Sequence, residues 1–292
     1  MNSINKLNPY PPLRLDYPRR LVLLLSFSLA GLIVAAIFMG IIISFGGRTT
    51  PIMRVNAVIQ DVVAFILPAV AAALFASSRP ASLLCIDTLP TLRQTILAVG
   101  VMVASIPLMN MVIEWNSSLT LPSGLEGVEA WMRRSEESAQ SAVSVMLAGD
   151  GIISTILCVL IVGLMAGLSE ELFFRGALQR LLGSGPLGPH LTVWLTAVIF
   201  SLFHMQFFGF FPRVLLGALF GYLLLWSGSL WLPALIHILN NTIYVLSVRH
   251  QFSDTVDSLG SDSWTAILLS ASITALLLFL LARDCRPTDG TD

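Results

Sequence analysis

Six polar residues interrupt the apolar second half of the chain, and their types could together hydrolyse a peptide bond. They occur in three stretches, GLSEELFFRG, FSLFH and HILNN. A charged side chain at the centre of a membrane span costs about 2.5–3.5 kcal/mol, so ionisable residues in such runs indicate a functional site. The six residues are Glu170, Glu171, Arg175, His204, His237 and Asn241.

The two adjacent carboxylates have different neighbours along the helix. Glu171 and Arg175 are four residues apart in the favoured order, so they can neutralise each other and have a structural role. Glu170 points about 100° away around the same helix and has no cation nearby in the sequence. A lone histidine in a span can also be a hydrogen-bonded packing residue. The case for a site therefore rests on the group as a whole.

Helix geometry places the group near one depth. Glu170 lies about 15 residues before the turn at Gly185 and His204 about 19 residues after it, or roughly 22 and 28 Å along the helices. His237 and Asn241 follow the next turn on that side by about 9 and 13 residues, or roughly 14 and 20 Å. They share one helix face. We expect them to reach the same pocket, given some tilt or uneven turn heights.

These side chains suit an amide hydrolase that uses water directly. A carboxylate in an apolar pocket is a stronger base than one in water, so Glu170 could deprotonate a water molecule held by His204. His237 and Asn241 could donate hydrogen bonds to the oxyanion of a tetrahedral intermediate. The group contains no obvious covalent nucleophile.

Motifs of other intramembrane proteases are missing from the sequence. It has no H-E-x-x-H, which would indicate a zinc protease. The stretch LGSG lacks the first glycine of the rhomboid G-x-S-G motif. There is no G-x-G-D, and Asp61 is the only aspartate well inside a predicted span, which argues against a pair of catalytic aspartates.

In this order, E-E-x-x-x-R, F-x-x-x-H and H-x-x-x-N resemble the CPBP family of CAAX proteases and bacteriocin-processing enzymes, also called the Abi family. The resemblance covers about residues 152–248 and implies an eight-helix intramembrane endopeptidase. Its catalytic cavity would lie within the bilayer and be reached from the cytosol. On the family pattern, Glu170 and His204 activate water, His237 and Asn241 form the oxyanion site, and Glu171 with Arg175 supports the architecture.

The family resemblance leaves the cofactor open. The family has been described both as metal-dependent and as glutamate-dependent. Zinc held by Glu170, His204 and His237 is the second interpretation. A metal-free site without a cofactor is the preferred one, because Asn241 suits an oxyanion donor better than a zinc ligand.

The substrate class is also open. Eukaryotic relatives remove the last three residues of prenylated proteins, whereas bacterial relatives act on peptides or membrane proteins, or are linked to bacteriocin immunity. Short loops and arginine-rich ends favour a bacterial protein in the inner membrane, which makes a prenylated substrate less expected. The alternative function is a non-catalytic immunity or scaffold protein, or a proton-coupled transporter using Glu170.

The composition predicts the scaffold that must hold this site. Hydrophobic residues make up 55% of the 292 residues and charged residues only 11%, against about 25% charged in soluble domains. The chain is therefore expected to be an all-α, polytopic membrane protein with the lipid bilayer as a partner. The resemblance adds a peptide or membrane-protein substrate as the second partner. Its net charge of −1 gives no indication of a nucleic-acid partner. One domain, residues 1–292, contains eight apolar segments: about 21–43, 55–76, 95–113, 152–182, 191–205, 214–226, 230–248 and 264–281.

The positive charges predict that both termini are cytoplasmic. Nine arginines and lysines fall on the side of the termini and six on the other side. The first group is Lys6, Arg14, Arg19, Arg20, Arg79, Arg93, Arg180, Arg283 and Arg286, and the second is Arg48, Arg54, Arg133, Arg134, Arg213 and Arg249.

Residues 114–150 form the one sizeable extramembrane loop. SGLE, from Ser123 to Glu126, matches a capping box, and Glu129 and Arg133 can pair at i,i+4. The apolar positions that follow predict an amphipathic helix, which would lie on the membrane surface or act as a solvated linker.

Overall fold

A computed structural model describes residues 10–252, 255–256, 258–260 and 263–285. Within these residues the chain is built from helices, with an isolated bridge between Leu13 and Ser77 and no strands. The helices are α1 Tyr17–Gly46, α2 Thr50–Ala76, α3 Pro80–Leu83, α4 Leu92–Ala104, α5 Ile106–Ser117, α6 Glu126–Leu147, α7 Gly151–Gly183, α8 Pro189–Phe203, α9 Phe210–Ser227, α10 Trp231–Arg249 and α11 Trp264–Asp284.

The predicted all-α, polytopic membrane fold is confirmed. In the described part of the chain, six helices are long and apolar enough to span a bilayer. The pair α4 and α5, bent by 46°, would make a seventh span. Helix α8 is apolar but has only 15 residues, and a span needs about 20. Eight spans therefore remain a prediction.

The bend between α4 and α5 is stabilised by a side chain from another helix. Pro107 cannot donate a backbone hydrogen bond, so the helix ladder is interrupted there. The Ser270 hydroxyl of α11 donates to the Ala104 carbonyl at 2.6 Å and accepts from the Leu108 N–H at 3.2 Å. These two bonds satisfy backbone groups that the bend would otherwise leave unpaired within the membrane.

The helix ends lie on two faces of the bundle. On the terminal face, Leu13 pairs with Ser77 and Arg93 bonds Asp284, next to the end of the described chain. On the loop face, Arg54 and Arg249 donate to carbonyls of residues 146–149, at the end of α6 and in the turn before α7. Two residues used for the charge prediction, Lys6 and Arg286, lie outside the described residues.

Helix α6 forms, but its predicted capping box is wrong. The helix begins at Glu126, and no side chain caps it. Glu126 and Glu129 instead accept hydrogen bonds from the preceding loop, at the N–H groups of Gly124 and Leu121. The predicted pair of Glu129 and Arg133 is confirmed, with a shortest distance of 2.6 Å.

Helix α6 also packs on the loop between α8 and α9, so it is not a free linker. The Ser135 hydroxyl donates to the Met205 carbonyl at 2.7 Å. The Trp131 and Phe207 rings lie 5.1 Å apart between centroids. The helix therefore lies beside the segment that follows His204.

Candidate active site

Two glycines bring α10 against α7, where the two carboxylates lie. A Cβ atom on Gly167 would lie 3.2 Å from the backbone nitrogen of Ile238, and one on Gly163 would lie 2.6 Å from Oγ1 of Thr242. Small residues four apart allow helix backbones to approach closely in membranes. This contact fixes the distance between Glu170 and Glu171 on α7 and His237 on α10.

Glu171 and Arg175 form a fully buried ion pair, as their spacing predicted. Nη1 of Arg175 donates to Oε1 of Glu171 at 2.6 Å, and both side chains are 0% exposed. Nη2 donates to the Gly217 carbonyl of α9 at 3.0 Å, and the guanidinium lies 4.5 Å from the Phe200 ring centroid. One turn along, Gln179 repeats the contact to α9 by donating to the Gly221 carbonyl. The arginine therefore joins α7 to α8 and α9.

His237 connects the ion pair to Glu170. Its Nδ1 atom lies 2.8 Å from Oε1 of Glu171, and its Nε2 atom lies 3.8 Å from Oε2 of Glu170. The imidazole stacks on Phe220 at 4.8 Å between centroids and meets Phe200 edge-on. Since the Glu171 carboxylate is an acceptor, it holds a proton on Nδ1 and leaves Nε2 facing Glu170.

Both carboxylates keep a buried Oε2 atom without a hydrogen-bond partner among the described residues, but Glu170 is the one that is partly exposed and has no arginine beside it. Its side chain is 16% exposed, and its buried Oε2 atom has no hydrogen-bond partner among the described residues. It also interacts electrostatically with Asp61, a buried residue of α2 that hydrogen-bonds Ser169. The single Ser169 proton is shared between that contact and the Ala166 carbonyl at 3.1 Å. The site thus contains a third carboxylate beside Glu170 and Glu171, which the sequence motifs did not indicate.

His204 lies at the end of α8 and is half-buried. Its Nδ1 atom bonds the Phe200 carbonyl at 3.0 Å, so the neutral imidazole carries its proton there and leaves Nε2 as an acceptor. It interacts electrostatically with Glu170 and His237. The rings of His204 and His237 lie 5.0 and 5.9 Å from the Phe200 ring between centroids, so both histidines lie in the same part of the bundle as Glu170.

Asn241 lies one turn beyond His237 and has different neighbours. Its Nδ2 atom donates to the Val162 carbonyl at 3.2 Å, in a π-helical stretch of α7 from Val159 to Met165. Its Oδ1 atom lies 3.4 Å from Nδ2 of Asn240. One amide hydrogen of Asn241 remains for another acceptor, but its described contacts are not to the other three residues.

The residues proposed to hold zinc do not fit a metal as they are placed. No group of three or more His, Cys, Asp or Glu side chains in the described part of the chain has the arrangement of a metal site. Nδ1 of His237 is bonded to Glu171 and Nδ1 of His204 to a carbonyl, as is usual for histidines that bind a metal through Nε2, so these bonds do not themselves exclude zinc.

A cavity of about 500 Å³ reaches His204 from the loop face. Arg48, just after α1, and Arg134 of α6 contribute to its lining. The described chain ends lie on the opposite, terminal face. Cytoplasmic termini and a site reached from the cytosol were both expected, and the two cannot hold together if this cavity is the entry route.

Three residues near the site could not be assigned from the motifs. Phe220 carries no motif signal, since phenylalanines are common in apolar spans. Gly167 is four residues after another glycine, a spacing typical of close helix packing. Asp61 was visible in the sequence as the aspartate inside an apolar run, but its proximity to Glu170 was not, because the two residues are distant in the sequence.

Part of the chain that contains this site matches a known protein family. Residues 152–243 match the family described as type II CAAX prenyl endopeptidase Rce1-like. No curated protein and no solved structure matches the chain. The matched residues include Glu170, Glu171, Arg175, His204, His237 and Asn241. The predicted resemblance to the CPBP family is therefore confirmed for residues 152–243, which are similar to its Rce1-like membrane proteases.

Proposed function

We propose that the protein is a glutamate-dependent intramembrane endopeptidase that hydrolyses a peptide bond with a water activated by Glu170 and His204. The observation that carries the proposal is the buried, unpartnered Oε2 atom of Glu170, 3.8 Å from Nε2 of His237. A carboxylate in that position can accept a proton from water. The Rce1-like family match supports peptide hydrolysis as the reaction.

In the proposed reaction, the water oxygen bonds to the scissile carbonyl carbon while one water proton passes to Glu170. The Nε2 acceptor of His204 orients the water through its other hydrogen. Glu170 then delivers its proton to the leaving amine as the C–N bond breaks. Water is thereby added across the peptide bond, and both side chains return to their starting states.

His237 and Asn241 are the proposed donors to the oxyanion. Because Nδ1–H of His237 is bonded to Glu171, the ring can donate from Nε2 only when both of its nitrogens carry a proton. The free amide hydrogen of Asn241 is the second donor. Preorganised donors in a site without bulk water stabilise a developing charge strongly. Glu171 is thus a positioning residue for His237 as well as the partner of Arg175.

The test is cleavage of a mixed library of quenched-fluorescent peptides, including prenylated ones, by the purified protein in detergent micelles. Glu170→Gln should abolish cleavage, and Glu114→Gln, which changes an exposed carboxylate of α5, should not. Asn241→Leu should lower kcat by about 10²–10³-fold, as expected for loss of an oxyanion donor, whereas Asn240→Leu should retain most activity. A chelator should have no effect.

Other outcomes would contradict the proposal. Activity lost to the chelator and restored by zinc would show a metal-dependent enzyme. A folded wild-type protein that cleaves none of the library would favour the immunity, scaffold or transport alternative. Full activity in Glu170→Gln would exclude Glu170 as the base.

A further inference from the structure

The cavity that reaches His204 combines apolar walls with two arginines, and is called here the arginine cavity. Its volume of about 500 Å³ is within the roughly 300–1,000 Å³ of small-molecule binding pockets, so it could hold a few peptide residues. Met39 and Ile43 from α1, Met53 from α2 and Trp131 from α6 form apolar parts of the wall. His204 joins this cavity to the candidate active site.

Other arginines on the loop face have fixed partners. Arg54 and Arg249 bond backbone carbonyls, and Arg133 pairs with Glu129. Arg213 donates to the carbonyl and side-chain oxygen of Gln206. The side chains of these four arginines are engaged in contacts within the protein and are therefore less available to bind an anion.

Arg48 and Arg134 differ from this group. Both residues are exposed, and neither guanidinium group has a hydrogen bond or an ion pair with any residue that the structure describes. The lining that they share includes Ser135 and Ser138 but no acidic residue among the described ones. Two unpaired guanidinium groups at an apolar cavity attract an anion, and a carboxylate matches their forked geometry.

We infer that the arginine cavity is a substrate subsite that selects peptides carrying a carboxylate near the scissile bond, with Arg48 and Arg134 as its specificity-determining residues. This rests on the proposed function, because the cavity serves as a subsite only if cleavage occurs beside His204. Neither arginine lies in the family-matched residues 152–243, so the proposed selectivity for a carboxylate depends on helices outside the matched segment. The carboxylate could come from an acidic side chain or from a peptide C-terminus.

The test measures binding, so that it does not depend on catalysis. Three apolar peptides with a neutral fluorophore would be titrated into the Glu170→Gln protein in a non-ionic detergent. One has an internal glutamate and an amidated C-terminus, one has glutamine there and a free C-terminus, and one has glutamine and an amidated C-terminus. Fluorescence anisotropy gives each Kd.

At least one carboxylate peptide should bind about five-fold more tightly than the neutral peptide, as expected for partly exposed charge pairs. The better of the two carboxylate peptides identifies the source of the group. In the double variant Arg48→Gln/Arg134→Gln, the tighter binding of carboxylate peptides over the neutral peptide should disappear. The matched control Arg93→Gln/Arg283→Gln removes two exposed charges from the terminal face and should keep it.

Equal binding of all three peptides, or a preference that persists in Arg48→Gln/Arg134→Gln, would overturn the inference. So would a preference that is present in phosphatidylcholine nanodiscs and lost in phosphatidylglycerol nanodiscs, since the arginines would then serve lipid headgroups. Failure of the proposed function would be seen separately, as wild-type protein that binds these peptides and cleaves none.

Discussion

The Nδ1 atom of His237 lies 2.8 Å from Oε1 of Glu171, the same oxygen that Arg175 contacts at 2.6 Å. One carboxylate oxygen therefore orients an imidazole of α10 while it neutralises a guanidinium of its own helix. This contact gives Glu171 a role in the site as well as in the scaffold. Glu170, the adjacent residue, has no arginine partner and is partly exposed, whereas Glu171 is fully buried.

Replacing Arg175 with lysine should destabilise the protein strongly. Lysine cannot reach Glu171 and the Gly217 carbonyl with one planar fork, and breaking a buried ion pair costs about 3–5 kcal/mol. Thermal unfolding in detergent would measure the loss. The control Arg93→Lys changes an ion pair whose arginine is exposed, and it should have little effect. Equal stability of Arg175→Lys and wild type would show that the fork is not needed.

A methyl group at Gly167 should separate the two helices that carry the site. Its Cβ would lie 3.2 Å from the Ile238 backbone nitrogen and 3.3 Å from its Cα, which cannot rotate away. Gly167→Ala should therefore lower stability by about 1–3 kcal/mol and reduce cleavage. Gly40→Ala is the matched control, since a Cβ there would have nothing within 4 Å. A Gly167→Ala protein with full activity would contradict close packing at this point.

Phe220 is expected to matter for rate more than for folding. Its ring stacks on His237, so Phe220→Leu keeps an apolar side chain but removes the flat surface that fixes the imidazole plane. Small displacements of reacting groups can cost up to about 100-fold, and we expect a decrease of roughly 10- to 100-fold in kcat. Steady-state kinetics would measure it, with Phe279→Leu on the exposed surface of α11 as control. A change in KM alone would instead assign Phe220 to substrate binding.

The contribution of Glu129 to stability should depend on pH. The Leu121 N–H and the Arg133 side chain lower the pKa of this carboxyl from its ordinary value of 4.5. A lowered folded pKa means that the stabilisation is present above the unfolded pKa and is lost as pH falls through the folded pKa. The difference in melting temperature between wild type and Glu129→Gln should thus be full at neutral pH and disappear in acid. A difference that grows as the pH falls would contradict this.

Sequence periodicity and local spacing were sufficient for part of this structure. Apolar runs predicted the helices, because a span in lipid must satisfy its own backbone. The pair of Glu171 and Arg175 was predictable because helical residues four apart are neighbours. The motif order also identified which residues to examine together.

Contacts between distant residues could not be predicted in this way. The bond of Glu171 to His237 joins residues 66 apart, and the approach of Asp61 to Glu170 depends on how α2 packs against α7. The predicted cap at Ser123 failed because Glu126 and Glu129 bond the preceding loop instead. Each of these depends on tertiary packing, which one helix does not specify.

The position of the arginine cavity has a practical consequence for experiments on intact cells. The cavity opens at Arg48 and Arg134, whereas the described chain ends, Tyr10 and Cys285, belong to the other face of the bundle. A reporter fused behind Cys285 would occupy the compartment that cleavage products from the cavity do not enter directly. A tag attached next to either described chain end would lie on the face opposite the opening of the cavity and would not obstruct it.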